Sequence, residues 1–129
     1  MESALVQPRE PTPAQRVLIV DDNDDARFLL AGLLAAHGYE VESAGEADGA
    51  LQIAARFRPQ VVVLDIGLPG IDGWELARRL RGIAGLERIR LVALTGYGSE
   101  RDRQRSREAG IDEHLLKPIE VALLTRAFA

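Results

Sequence analysis

The sequence predicts an α/β fold, a doubly wound five-stranded parallel sheet with helices on both faces. Three observations predict it. Short apolar runs recur along the chain, each too brief for a helix; segments of helical period separate them; and the first and third runs are rich in β-branched residues. Strand and helix alternate five times, an order that implies parallel strands joined by right-handed crossovers.

Residues 1–15 hold three of the six prolines (Pro8, Pro11, Pro13) and little apolar pattern, so they read as a flexible leader, with the domain spanning 16–129. Val17–Val20 is the first strand. Asp24–His37 is the first helix, capped by Asn23 or Asp24, with Phe28, Leu29, Leu33 and Ala36 on one apolar stripe and Gly38 just past its end. Glu40–Ser43 alternates, which suits an edge strand. A helix over Glu46–Phe57 leads to a third strand, Val61–Leu64, and a helix over Asp72–Ile83 in which Trp74 packs. Leu91–Leu94 is the fourth strand. The helix after it, Ser99–Ala109, offers almost no apolar face, starts at a capping-box-like Ser99 and Asp102 pair, and should be loosely held; its arginines 101, 103, 105 and 107 lie around the helix as a solvated surface. Glu113–Leu116 forms a second edge strand, followed by a helix from about Glu120 to Phe128. For five such units the natural strand order is the flavodoxin-like 2-1-3-4-5.

A chain of 129 residues leaves room for one domain, and 47% apolar residues support an independent core. Cysteine is absent, which excludes a disulfide framework and thiolate metal sites and fits a reducing, cytoplasmic setting. No apolar stretch approaches the roughly 18 residues of a membrane span, and a net charge of −4 argues against nucleic acid or anionic lipid as a partner. Fifteen of the basic residues are arginine, so Lys117 is the only lysine.

In open parallel sheets ligands bind beyond the carboxyl ends of the strands, where the strand order reverses. The first strand is followed by Asp21, Asp22 and Asn23, the third by Asp65, the fourth by Thr95, and the fifth by Lys117 and Pro118. Four strand ends thus bring together three carboxylates, one hydroxyl and the sole ammonium. Each carboxylate pair at about 4 to 5 Å costs roughly 1 to 4 kcal/mol at effective dielectric constants between 80 and 20. A hard divalent cation offsets that repulsion best, and an open site with oxygen ligands suits Mg²⁺. A carboxylate beside such a metal can attack phosphorus while lysine and threonine neutralise the transferred group, so the pattern points to phosphoryl transfer.

VLIVDDN, VVVLDIGLPGIDG, LVALTGYG and HLLKP stand in an order in which Thr95 follows Asp65 by 30 residues and Lys117 follows Thr95 by 22. From about Arg16 to Phe128 the chain resembles the receiver domain of bacterial two-component response regulators. The resemblance implies that Asp65 is the phosphoacceptor, that Asp22 binds Mg²⁺ directly and Asp21 through water, and that the Gly67 carbonyl is the remaining protein ligand. It implies that Thr95 and Lys117 contact the phosphoryl oxygens and that the Lys117–Pro118 bond is cis. The donor would be a histidine kinase or a histidine phosphotransfer protein, and the chain would catalyse only its own phosphorylation and dephosphorylation. One position departs from the pattern: His114 stands where the family usually places an aromatic switch residue, which leaves Thr95, His114 and Tyr97 as candidate switch residues. The chain ends just after the fifth helix, as expected of a single-domain regulator or of a receiver cut from a hybrid kinase.

Taken alone, the acidic run from Asp21 to Asp25 would read as a solvated helix-capping turn; residues at three other strand ends turn that reading. His114 would otherwise be a partly buried edge-strand histidine, and Gly67, Pro69, Gly70 and Gly73 the residues of a tight loop. A metal-dependent phosphatase with an aspartate nucleophile wants a second aspartate where Gly67 stands. A flavin carrier wants a phosphate loop where this chain has carboxylates. A degenerate, purely scaffolding receiver would lack one of the chemical positions, and none is missing.

Overall fold

The computed structural model describes residues 15–66, 72–96 and 100–128. Within them run β1 (Arg16–Val20), α1 (Asp24–Ala36), β2 (Glu40–Ala44), α2 (Ala47–Phe57) and β3 (Val61–Asp65), then α3 (Gly73–Arg81), β4 (Arg90–Thr95), α4 (Glu100–Glu108), β5 (Glu113–Leu116) and α5 (Val121–Arg126). All strand pairs are parallel and the order is β2-β1-β3-β4-β5, the order expected from the sequence, with the two expected edge strands at the edges. All but Gln15 of the expected leader lies outside the described residues, as does the proposed Ser99 cap.

Side chains alternate across the sheet, and the alternation divides the core in two. Leu18, Val20, Val62, Leu64, Leu91 and Ala93 face α2 and α3. Val17, Ile19, Val61, Val63, Val92 and Leu94 face Leu34 of α1 and Leu124 of α5. The chain reverses between β1 and β3, which sends successive right-handed crossovers to opposite faces and opens a crevice at the carboxyl ends of those strands.

The apolar stripe expected on α1 is corrected. Phe28 and Leu29 are 62% and 67% exposed and Leu33 is 40% exposed, whereas Arg27 and Leu34 are buried and Leu30 and Ala31 pack on the core. The spacing 27, 30, 31, 34 is itself a helical stripe. Leucines stand on both sides of this helix, so periodicity could not choose the face; the polar Arg27 sits on the inward one because its head group finds acceptors there. Asn23 caps α1 by accepting the Ala26 N–H at 2.9 Å, and Gly38 (φ 95°) follows the C-cap residue His37. The last helix is shorter than expected: Phe128 lies beyond it, packed edge-on against Tyr39 with ring centroids 5.4 Å apart. No helix among the described residues is long and apolar enough to cross a membrane.

Candidate functional site

Asp21 leaves β1 with its N–H donated to Ala44 O at 3.1 Å, so the edge strand still holds the residue that carries the carboxylate. Its Oδ1 accepts the Asn23 N–H at 2.9 Å, and its carbonyl accepts Arg27 Nη1 at 2.7 Å. Arg27 in turn reaches Asp24 Oδ1 at 2.7 Å. A buried arginine beneath the acidic turn was not singled out from the sequence; its one legible signal is the i, i+3 spacing to Asp24. Asn23 thus performs two tasks, capping α1 and orienting Asp21, while Asp22 projects into solvent.

Asp65 is the last residue of β3, in register with Leu94. The chain beyond it is pinned by Ile66 N–H to Leu94 O at 3.3 Å and by Gly73 N–H to Ile66 O at 3.1 Å. A Cβ at position 73 would lie 2.7 Å from Ile66 Cα, 2.9 Å from Leu64 Cδ1 and 3.1 Å from Asp65 O. Gly73 therefore lets α3 begin directly against the strand end that carries Asp65, a closer task than the loop role read from the sequence.

Lys117 N–H donates to Thr95 O at 2.8 Å, and the Lys117–Pro118 bond is cis. Lys117 Nζ lies 3.0 Å from Asp65 Oδ2 and 3.5 Å from Asp21 Oδ2. Burial pulls the Lys117 ammonium down, but the hydrogen bond it donates to Asp65, then the charges of Asp65 and Asp21, outweigh it and hold the group above the ordinary lysine value. Asp21, Asp22 and Asp65 each offer an oxygen within 4.8 Å of the others. Thr95, buried at the end of β4, pairs with Leu116 immediately before the lysine.

The structure thus brings Asp21, Asp22 and Asp65 to one point, with Lys117 on two of them and Thr95 bonded to the lysine's backbone. Gly67 and Tyr97 lie outside the described residues. His114 sits on β5 with Nδ1 2.9 Å from Ser106 Oγ, and the same hydroxyl accepts the Trp74 indole N–H at 3.0 Å. Ser106 is the one buried residue of α4, and the neighbouring Arg105 stacks 3.9 Å over the Trp74 ring. A helix without an apolar face is fastened to the domain by a polar and cation–π contact set, which hydrophobic periodicity does not reveal. Beside the carboxylates, a groove of about 500 Å³ runs between α1 and the segment after β5, lined by Leu29, Leu30, Leu33, Pro118, Ile119 and Val121 among others.

The chain was compared with known proteins. The family model of the response regulator receiver domain matches residues 17–129. Sporulation initiation phosphotransferase F of Bacillus subtilis is 36% identical over 107 residues, covering 83% of this chain and 85% of that protein. Response regulator PleD of Caulobacter vibrioides is 36% identical over 84% of this chain, which spans 24% of that longer protein. Among solved structures, the chemotaxis protein CheY4 of Vibrio cholerae superposes with a TM-score of 0.84 at 28% identity, over 88% of this chain and 98% of that one. A response regulator from Burkholderia pseudomallei, solved with a phosphorylated aspartic acid and a calcium ion, gives 0.83 at 29% identity, over 89% of this chain and 66% of that one. With the family's order of strands and a family match over nearly the whole chain, the protein belongs to the response regulator receiver family and is a phosphoacceptor signalling domain of two-component systems.

Proposed function

We propose that Asp65 accepts a phosphoryl group from a phosphohistidine, with Mg²⁺ held by Asp21, Asp22 and Asp65 and by the carbonyl of Gly67. The observation that carries this reading is the convergence of three carboxylate oxygens within 4.8 Å beside the ammonium of Lys117. An all-oxygen donor set at an open site suits a hard divalent cation, which when bound would shield the carboxylates from one another and the incoming phosphoryl oxygens from Asp65.

Asp65 is the attacking group because it stands at the centre of the site, on the strand between those that carry Asp21 and Thr95. Its oxygen forms the new bond to phosphorus as the nitrogen–phosphorus bond of the donor breaks, and the electron pair leaves with the imidazole. Lys117 cannot be lost to Asp65 in this step: held protonated by its surroundings, it turns from carboxylate to phosphoryl oxygen as negative charge moves outward. Thr95, one strand over, supplies a hydroxyl to the same group. Dephosphorylation runs at the same centre with water as acceptor, so the chain catalyses only its own phosphorylation cycle.

The donor is a histidine kinase or histidine phosphotransfer protein. The groove beside the site supports this, because Leu29 and Leu33, which line it, leave apolar surface exposed there. The switch is proposed to run from Thr95 to His114, whose bond to Ser106 joins β5 to α4, with Tyr97, two residues after Thr95, as a further candidate. Intact mass after incubation with Mg²⁺ and acetyl phosphate tests the assignment. Wild type gains about 80 Da; Asp65→Asn gains nothing. A phosphorylated Asp65→Asn protein places the acceptor elsewhere.

A further inference from the structure

The amino-terminal ends of the strands, roughly 17 Å from Asp65 along a five-residue strand, bound a second cavity that phosphorylation does not use. It measures about 310 Å³ and is lined by Arg16, Arg58, Arg88 and Gln60 over a floor of Pro59, Leu86 and Ile89. Such a volume lies at the small end of ligand sites, about 300 to 1,000 Å³.

Three features bear on its arginines. Arg27, Arg56, Arg78, Arg79, Arg81, Arg90, Arg105 and Arg107 all pair with carboxylates. Arg16, Arg58 and Arg88, like Arg101, Arg103 and Arg126 on α4 and α5, make no ion pair among the described residues. Arg16 spends Nε on the carbonyls of Phe57 and Arg58, at 3.1 and 2.9 Å, and Arg58 spends Nη1 on Ala84 O at 2.9 Å, so each is anchored through one nitrogen and keeps further donors.

The second feature is backbone strain. Arg58, the C-cap of α2, is the one described non-glycine residue with positive φ, at φ 56° and ψ 59°. A residue with a Cβ is strained there, and glycine would relieve it. The strained arginine is accommodated by the opposite wall: a Cβ at Gly85 (φ 91°) would collide with Arg58 Nη2. Helices commonly end in this conformation, though usually with glycine there, and non-glycine residues in it cluster at functional positions. The third feature is the nearby carboxylate, Glu87, which is already engaged. It accepts the Gly85 N–H at 2.8 Å, and that bond, then one from its own N–H, with a smaller contribution from the charge of Arg58, holds its carboxyl below the usual range.

We propose that this cavity binds a pyrophosphate group, carried by inorganic pyrophosphate or by a nucleoside diphosphate. Guanidinium forks match the paired oxygens of phosphate, and three of them on one cavity balance the charge of two adjoining phosphates better than that of a single carboxylate. The floor is almost wholly buried, so the organic part of a nucleotide would rest at the rim, and the group recognised is the phosphate pair.

Calorimetric titration of the full chain with sodium pyrophosphate and with ADP, in EDTA to silence the carboxylate site, tests this. Saturable binding is expected. Arg88 makes no hydrogen bond or ion pair among the described residues, so Arg88→Gln should fold as wild type and bind about tenfold or more weakly, the loss of one charge-assisted contact. Arg58→Gly should also lose affinity without losing thermal stability, and Asp65→Asn should bind as wild type. Tighter ADP binding identifies the nucleotide as the source, and equal binding identifies the phosphate pair alone. No saturable binding to wild type at millimolar probe, or unchanged affinity in Arg88→Gln, overturns the proposal.

Discussion

Replacing Asp22 by asparagine should stabilise the metal-free protein and abolish its response to Mg²⁺. The magnitude follows from the geometry. Asp22 has an oxygen within 4.8 Å of one on Asp21 and one on Asp65. At that distance each unit-charge pair repels by about 0.9 kcal/mol in water and about 3.5 kcal/mol at an effective dielectric constant of 20. Lys117, bonded to Asp65 and near Asp21, cancels about one of the two contributions. Because Asp22 is exposed, the aqueous limit weighs more, and removing its charge should raise stability by about 1 to 2 kcal/mol. Urea titrations followed by circular dichroism, in EDTA and across a Mg²⁺ series, measure both halves of the expectation. Wild type should gain as RT ln(1 + [Mg²⁺]/Kd), about 1.4 kcal/mol at ten times Kd, and the variant should stay flat. A variant less stable than wild type in EDTA, or one that responds to Mg²⁺ as wild type does, would refute the shared-site reasoning.

Three further outcomes are expected. The raised Lys117 ammonium contributes stability that is fully present below its unfolded value, near 10.5, and is lost only as pH rises through the higher folded value; the stability gap between wild type and Lys117→Met should stay constant from pH 7 to pH 10, and a gap that closes by pH 9 counts against this. Ser106→Ala should cost about 1 to 3 kcal/mol, because the buried Trp74 indole N–H loses its acceptor. Trp74 is the only tryptophan, so its fluorescence should report the change directly, and an unaltered spectrum argues that α4 is fastened otherwise. Gly73→Ala should cost about 1 to 3 kcal/mol through overpacking and slow phosphorylation by acetyl phosphate, since the new methyl meets backbone at Ile66 and Asp65; full activity would show that α3 can withdraw without disturbing Asp65.

Strands β1 and β3 were legible as buried because four consecutive apolar, largely β-branched residues suit little else in a soluble fold, and their order followed from alternation with helices. The chemical positions were legible for a related reason. Parallel strands all deliver their carboxyl ends to one edge, so residues far apart in sequence could be gathered by topology alone. Topology could not supply side-chain direction. On α1, leucines stand on both sides of the helix, and the less apolar stripe turned inward, where Asp21 O and Asp24 accept the Arg27 head group. Trp74 and Ser106 stand 32 residues apart, and no local pattern announces that a serine in a charged helix will accept an indole proton. The close approach at Gly73 and the strained turn at Arg58 are likewise set by the backbone that happens to lie opposite them. Secondary structure and the edge of the sheet that carries the site are written in hydrophobic period and chain order, which are local. Which polar groups meet depends on distances between elements, and only the packed tertiary structure sets those.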